Sequence, residues 1–205
     1  HRVFIVGREG TTGLRIHERL SDRKDIELLA TADEDRKNVE AIKVVAKKAD
    51  LVFLCLPDVA SKEIMAAIGD FPCKVIDTST AFRTTAGWAY GFPELGESYK
   101  TSIATKKHIA NPGCHASGMI ACIAPLVKAG LVPVDYPFTI TSLTGYSGGG
   151  KKMIDQYESS PKDYFLYAPR QYGLGQEHKH LPEVQHVCGP VSYTHLRAHE
   201  TVLDL

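Results

Sequence analysis

The chain has 205 residues, 43% hydrophobic and 23% charged, which is ordinary for a globular protein and leaves room for a sizeable core in one large or two small domains. Lys+Arg and Asp+Glu stand at 24 each, so no overall field draws the chain to nucleic acid or an anionic membrane, and any anion site has to be local. No stretch of about 18 apolar residues appears, and HRVFIVGREG enters a strand pattern without the regions of a signal peptide, so a cytoplasmic protein with no membrane partner is expected.

In chain order, residues 3–6 (VFIV), 26–32 (IELLATA), 51–56 (LVFLCL) and 74–77 (KVID) are short apolar runs rich in branched residues, the pattern of buried parallel strands. Between them, residues 13–20, about 39–48 and 61–68 space their apolar side chains as helices do, and this alternation implies βαβ units. The first strand opens into VGREGTTGL, where Gly7, Gly10 and Gly13 follow a G-x-x-G-x-x-G spacing in place of the commoner G-x-G-x-x-G. Such glycines let the backbone turn sharply and approach a pyrophosphate seated on the amides of a helix N-terminus. A turn needed only for strand-to-helix geometry would show the same spacing; the strand-loop-helix context favours a dinucleotide cofactor. Asp33, ending the second strand, would accept from a ribose 2′-hydroxyl and favour NAD, whereas Arg8, Arg36 and Lys37 would pair with a 2′-phosphate or stand as solvated charge.

From about residue 111 the texture changes, and a domain boundary is placed there, with a cofactor domain over 1–112 and a second domain over 113–190. A helix over 115–129 is expected to carry Met119, Cys122, Ile123, Leu126 and Val127 on one face, kinked by Pro125 and ended by Gly130. Residues 138–145 (FTITSLTG) alternate like a strand with one wet face.

The five cysteines are odd in number and form no C-x-x-C, which speaks against a disulfide framework or a zinc knuckle. Cys55, Cys73 and Cys122 lie inside apolar runs and read as inert buried thiols. Cys114 differs, because it follows Asn-Pro-Gly at the start of a helical pattern. Proline and glycine fix a tight corner there, and the partial positive charge of a helix N-terminus favours a thiolate. Its alternative is a structural cysteine. A thiolate doing acyl chemistry needs a proton partner, and GLGQEHKHLPE supplies His178 and His180 ahead of Glu183. The His-x-His pair also suits a metal, but no third ligand is evident nearby, so acid–base work is preferred over a metal site or two surface histidines.

These residues resemble the N-acetyl-γ-glutamyl-phosphate reductases, in their shorter form, relatives of aspartate-semialdehyde dehydrogenase. EGTTGL, DTSTAFR, GWAYGFPEL, ANPGCHASG, SGGGKK and EHKHLPE stand in that family's order and spacing. The resemblance implies an α/β architecture, a Rossmann-like parallel-sheet cofactor domain followed by an α+β catalytic and dimerisation domain, the latter truncated here. It implies Cys114 as nucleophile and His178 as general acid–base. Arg83 would hold the substrate phosphate, and Tyr172, His180 and Glu183 would line the substrate pocket. Gly7, Gly10, Thr11, Thr12 and Gly13, with Ser79, Gly148 and Gly149, would hold NADP. The implied partners are a small acyl phosphate and, in the complete protein, further copies of the chain. Aspartate-semialdehyde dehydrogenase, or a nucleotide-binding fragment without catalysis, are the competing readings.

Family members continue well past HLPE, and residues 191–205 (VSYTHLRAHETVLDL) resemble nothing in them. They read as a non-native tail, translated from adapter read-through. The tail is expected to lie loose, leaving an unpaired sheet edge behind, and its His195 and His199 are assigned to no site.

Overall fold

A computed structural model describes residues 1–172, 175, 177–189 and 193–201; the side chains of 170–172 and 193–201 lie outside that description. The chain divides into two compact units, His1–Gly113 and Cys114–Leu205.

In the first unit a six-stranded sheet is built from β1 (Arg2–Val6), β2 (Glu27–Leu29), β3 (Leu51–Leu54), β4 (Lys74–Asp77), β5 (Ala89–Tyr90) and β6 (His108–Ala110). All its pairings are parallel, in the order β2-β1-β3-β4-β6-β5. The apolar runs form strands because both their faces are covered. Val52 and Leu54 are wholly buried, and α2 (Val39–Ala46) and α3 (Asp58–Ile68) lay Ile42, Ala46, Ile64 and Ile68 into the same core. The chain leaves β1 toward β2 on one side and returns to β3 on the other. The carboxyl ends of β1 and β3 are thus a topological switch point, the place where open α/β sheets leave a crevice. Helix α1 (Thr11–Ser21) starts there.

The run at 26–32 yields only the three residues of β2, because as an edge strand it pairs with β1 alone. Two short strands, β5 and β6, and helix α4 (Glu97–Thr105) carry no periodic signal that the sequence reading used: the strands are two and three residues long, and α4 buries none of its side chains.

The second unit begins with α5 (Cys114–Lys128), which packs on α7 (Leu181–Cys188). Pro125 lies within α5, and Gly130 leaves it in the left-handed region at φ 67°. The helix buries His115, Ala116, Met119, Ile120 and Ile123, so its inner face lies further round than expected: Cys122 and Leu126 are exposed. Strand β7 (Phe138–Gly145) alternates half-buried and exposed residues, and a 3-10 turn over Tyr146–Gly149 leads into α6 (Lys151–Glu158).

The unit's sheet has the order β7-β9-β8, with β8 (Arg170–Tyr172) antiparallel and β7 parallel to β9 (Tyr193–Thr201). The segment expected to hang loose therefore occupies the middle of this sheet. The edges of β7 and β8 offer amides and carbonyls that any extended chain satisfies, so backbone pairing alone accounts for the place this segment takes.

Candidate active site

At the end of β1, Gly7 adopts φ 84°, and a side chain there would run into the carbonyl oxygen of Cys55 and lie 3.0 Å from Leu56 Cδ2. A Cβ on Gly13 would overlap the carbonyl oxygen of Gly7 and stand 2.7 Å from Arg8 Cα. Gly10 is less constrained; its amide donates to the Gly7 carbonyl at 3.1 Å and closes the loop ahead of Thr11 and Thr12, the first residues of α1. Two glycines are thus required by close backbone approach. Beside them lies a cavity of about 350 Å³, lined among others by Gly7, Arg8, Leu29, Asp33, Arg36 and Lys37. Arg8 spans its rim, donating from Nη2 to Asp33 Oδ1 at 2.9 Å and from Nε to Glu9 at 3.1 Å. A bare backbone corner at a helix start, an apolar slot and basic side chains at its mouth fit a dinucleotide.

After β4 the chain forms a second polar cluster. Asp77 is fully buried; its Oδ2 accepts from the Ser79 amide at 3.0 Å and the Ser79 hydroxyl at 2.6 Å, and that hydroxyl accepts from the Ala81 amide at 3.1 Å. Burial pushes the Asp77 carboxyl above its ordinary range, opposed by the Ser79 bonds and by nearby Arg83. Arg83 is itself buried, donating from Nε to the Asn111 carbonyl at 2.9 Å and from Nη2 to the Thr78 carbonyl at 3.1 Å. It clasps the loop after β4 to the Asn-Pro-Gly turn. Asp77, which holds this loop from beneath, carries a role the sequence reading overlooked; its one signal was a carboxylate closing an otherwise apolar run.

In the second unit, Cys114 is exposed on the first residue of α5, while its neighbour His115 is buried. His115 Nδ1 lies 2.7 Å from Ser142 Oγ on β7. Its ring meets those of His178 and His180 at centroid distances of 5.5 and 5.9 Å, and the latter two meet at 4.7 Å. The His180 amide donates to His178 Nδ1 at 3.2 Å, so in the neutral ring the proton sits on Nε2. Burial first, then the neighbouring His115 and Lys179, hold the His178 pKa below its ordinary 6.5, and burial does the same for His115. Glu183 is almost wholly buried in the first turn of α7. Among the described residues, no group of three or more His, Cys, Asp or Glu side chains forms a metal site.

Profiles of known families match both units. The one described as "Semialdehyde dehydrogenase, NAD binding domain" covers residues 2–102, and "Semialdehyde dehydrogenase, dimerisation domain" covers 114–200. The chain belongs to the semialdehyde dehydrogenase family. Within that family it is 50% identical, over 184 residues, to the N-acetyl-gamma-glutamyl-phosphate reductase of Chelativorans sp., covering 90% of this chain and 59% of that protein. N-acetyl-gamma-glutamyl-phosphate reductase 2 of Pseudomonas putida is 46% identical over 187 residues, covering 91% and 59%. The chain therefore spans about three-fifths of the length of these curated relatives. The fold matches aspartate semialdehyde dehydrogenase II from Vibrio cholerae at a TM-score of 0.69 and 18% identity, over 99% of this chain and 71% of that one. It also matches the Candida albicans aspartate semialdehyde dehydrogenase crystallised with NADP, at 0.63 and 15%, over 100% and 68%.

Measured against the expected site, Gly7 and Gly10 lie in the loop after β1 and Thr11, Thr12 and Gly13 in the first turn of α1, and Ser79 and Arg83 share the cluster after β4. Ser79 turns its hydroxyl to Asp77 and Arg83 gives two nitrogens to backbone, so both also build the loop. In the second unit His178 and His180 come together, with Glu183 in the helix that follows. Gly148 and Gly149 are exposed in the turn before α6, where a side chain on Gly149 would meet Met153 Cε at 2.7 Å. Tyr172 ends β8, and its side chain lies outside the described residues. His115 is the member that sequence reasoning missed, although it falls on the helix face of Met119 and Ile123 and directly follows the cysteine.

Proposed function

We propose that the protein is a cytoplasmic, NADPH-dependent N-acetyl-gamma-glutamyl-phosphate reductase, converting N-acetylglutamyl 5-phosphate to the 5-semialdehyde with release of phosphate. The observation that carries this reading is the identity of 43–50% to proteins of that name, over about nine-tenths of the chain. An exposed cysteine at the first turn of α5 and a histidine whose neutral ring bears its proton on Nε2 supply the chemical parts.

In this reading Gly7, Gly10, Thr11, Thr12 and Gly13 hold the diphosphate of the dinucleotide, Arg36 and Lys37 its 2′-phosphate, and Ser79, Gly148 and Gly149 its nicotinamide half. When bound, NADPH supplies a hydride. The thiolate of Cys114 attacks the acyl carbon; a carbon–sulfur bond forms, the carbon–oxygen bond to phosphate breaks, and a thioester remains on the enzyme. Arg83 steadies the departing phosphate. Hydride addition to the thioester carbon leaves a thiohemiacetal oxyanion that the Nε2–H of His178 would hold by donating a hydrogen bond; as the carbonyl re-forms, the carbon–sulfur bond breaks and the thiolate of Cys114 returns. Tyr172, His180 and Glu183 bind the acetylated amino-acid end. Further copies of the chain assemble through the second unit.

The reaction is tested in reverse by following phosphate-dependent reduction of NADP with N-acetylglutamate semialdehyde and with aspartate semialdehyde. Turnover with the first only is expected. Preference for aspartate semialdehyde would reassign the substrate, and cofactor binding without turnover of either would leave a nucleotide-binding protein.

A further inference from the structure

Burying an imidazole beside an exposed nucleophilic position costs desolvation energy, so the ring needs partners, and His115 has them on two elements. On one side Ser142, a half-buried position of β7 beside the exposed Leu143, approaches its Nδ1 at 2.7 Å. On the other, its ring packs edge-on against His178 at an interplanar angle of 88°, while His180 packs edge-on against His178 at 81°. His178 is thus held by two rings in near-perpendicular planes and by the His180 amide on Nδ1. Such edge contacts are geometrically selective.

We propose that His115 is a positioning residue: anchored by Ser142, it fixes the plane and the neutral, Nε2-protonated form of His178. The proposal rests on the reading of His178 as the acid–base group. A proton on His115 would stand beside His178, so the two rings resist being charged together, and His178 keeps its donor form near neutral pH. The other titratable groups on these packed elements are Cys114, Cys122 and Lys128 on α5, Lys179 and His180 beside His178, and Glu183, His186 and Cys188 on α7. Of these, Lys179 also opposes a charge on His178.

The test compares wild type with His115→Phe, which keeps a ring but loses the charge and the Ser142 contact, with His115→Asn, which can still reach Ser142, and with the milder Ser142→Ala. Ring titrations of His178 are read by NMR, next to the pH profile of kcat/KM. In His115→Phe we expect His178 to protonate about half a pH unit or more higher, with the acid limb of the profile shifted equally and KM within about twofold. A further variant, His115→Leu, which loses the ring as well, should lower kcat about tenfold or more, with His115→Asn between it and wild type. A His178 titration unmoved in both His115→Phe and Ser142→Ala, in variants whose amide spectra show the native fold, overturns the proposal. Full activity in His178→Asn would instead overturn the acid–base reading, and the two results are read independently.

Discussion

Cys55 and Cys188 are raised by burial to about 11, and burial also raises Cys73, whereas Cys114 stands exposed at a helix start. Iodoacetamide at pH 7 should therefore modify Cys114 well before Cys55, Cys73 and Cys188, as peptide mapping would show. Cys122, exposed on the same helix but away from its N-terminus, is the internal reference; labelling of Cys122 first would return Cys114 to an ordinary thiol. The pH dependence follows from the histidines. Both His115 and His178 are held below 6.5 in the fold, so the unfolded chain takes up their protons first as pH falls. Their contribution to stability is complete above about pH 6.5 and is lost progressively below it. Urea melts at pH 7.5 and 5.5 should show the drop, and it should shrink in a His115→Phe, His178→Asn double variant. At this scale the sequence was informative about local position, as with Cys114, which stands exposed behind Asn-Pro-Gly at the start of a helix. It was silent on Asp77, whose role comes from burial beneath the loop it holds, and on His115, whose partner Ser142 lies 27 residues along the chain.

Elements show the same division. The strands β1, β3 and β4 were legible because their buried and half-buried positions call for short apolar runs, whereas β5 and β6 are too short for any period to register. Cys122 was misplaced because several apolar residues on α5 are compatible with more than one choice of inner face, and only packing on α7 selects one. Helix α2 offers a calibration of local energetics. The Asn38 side chain accepts from the amides of Glu40 and Ala41 at 3.0 and 3.3 Å, so Asn38→Ala should cost about 1 kcal/mol in a denaturant melt. At the glycine loop, Gly13→Ala should weaken NADPH binding strongly, since the added methyl has only backbone to displace. Strand β9 is the opposite case. We expect it to hold by backbone pairing: replacing residues 193–201 with another strand-forming sequence should leave the melting temperature within a few degrees, whereas deleting them should strip β8 of the only strand partner it has among the described residues and lower it further. Equal loss in both variants would mean that the sequence of β9 itself is required.

For the whole molecule, equal numbers of acidic and basic residues leave function to local fields, and the cavity beside the glycine loop concentrates one. There Arg8 is already tied to Asp33 and Glu9, so in the proposed function discrimination of a 2′-phosphate is expected to fall to Arg36 and Lys37. Replacing both with alanine should raise the Kd for NADPH about tenfold or more while changing that for NADH little; equal effects would make the pair mere solvated charge. No helix among the described residues is long and apolar enough to cross a membrane. The account turns on the thiol of Cys114 forming a covalent bond to substrate, and the most direct measurement is to trap it. Protein mixed with N-acetylglutamyl phosphate without reduced cofactor, quenched in acid and mapped by mass spectrometry, should carry one N-acetylglutamyl group on the Cys114 peptide, and addition of NADPH before the quench should remove it. An acyl group found on another residue, or substrate reduced at full rate by Cys114→Ser, would contradict the account.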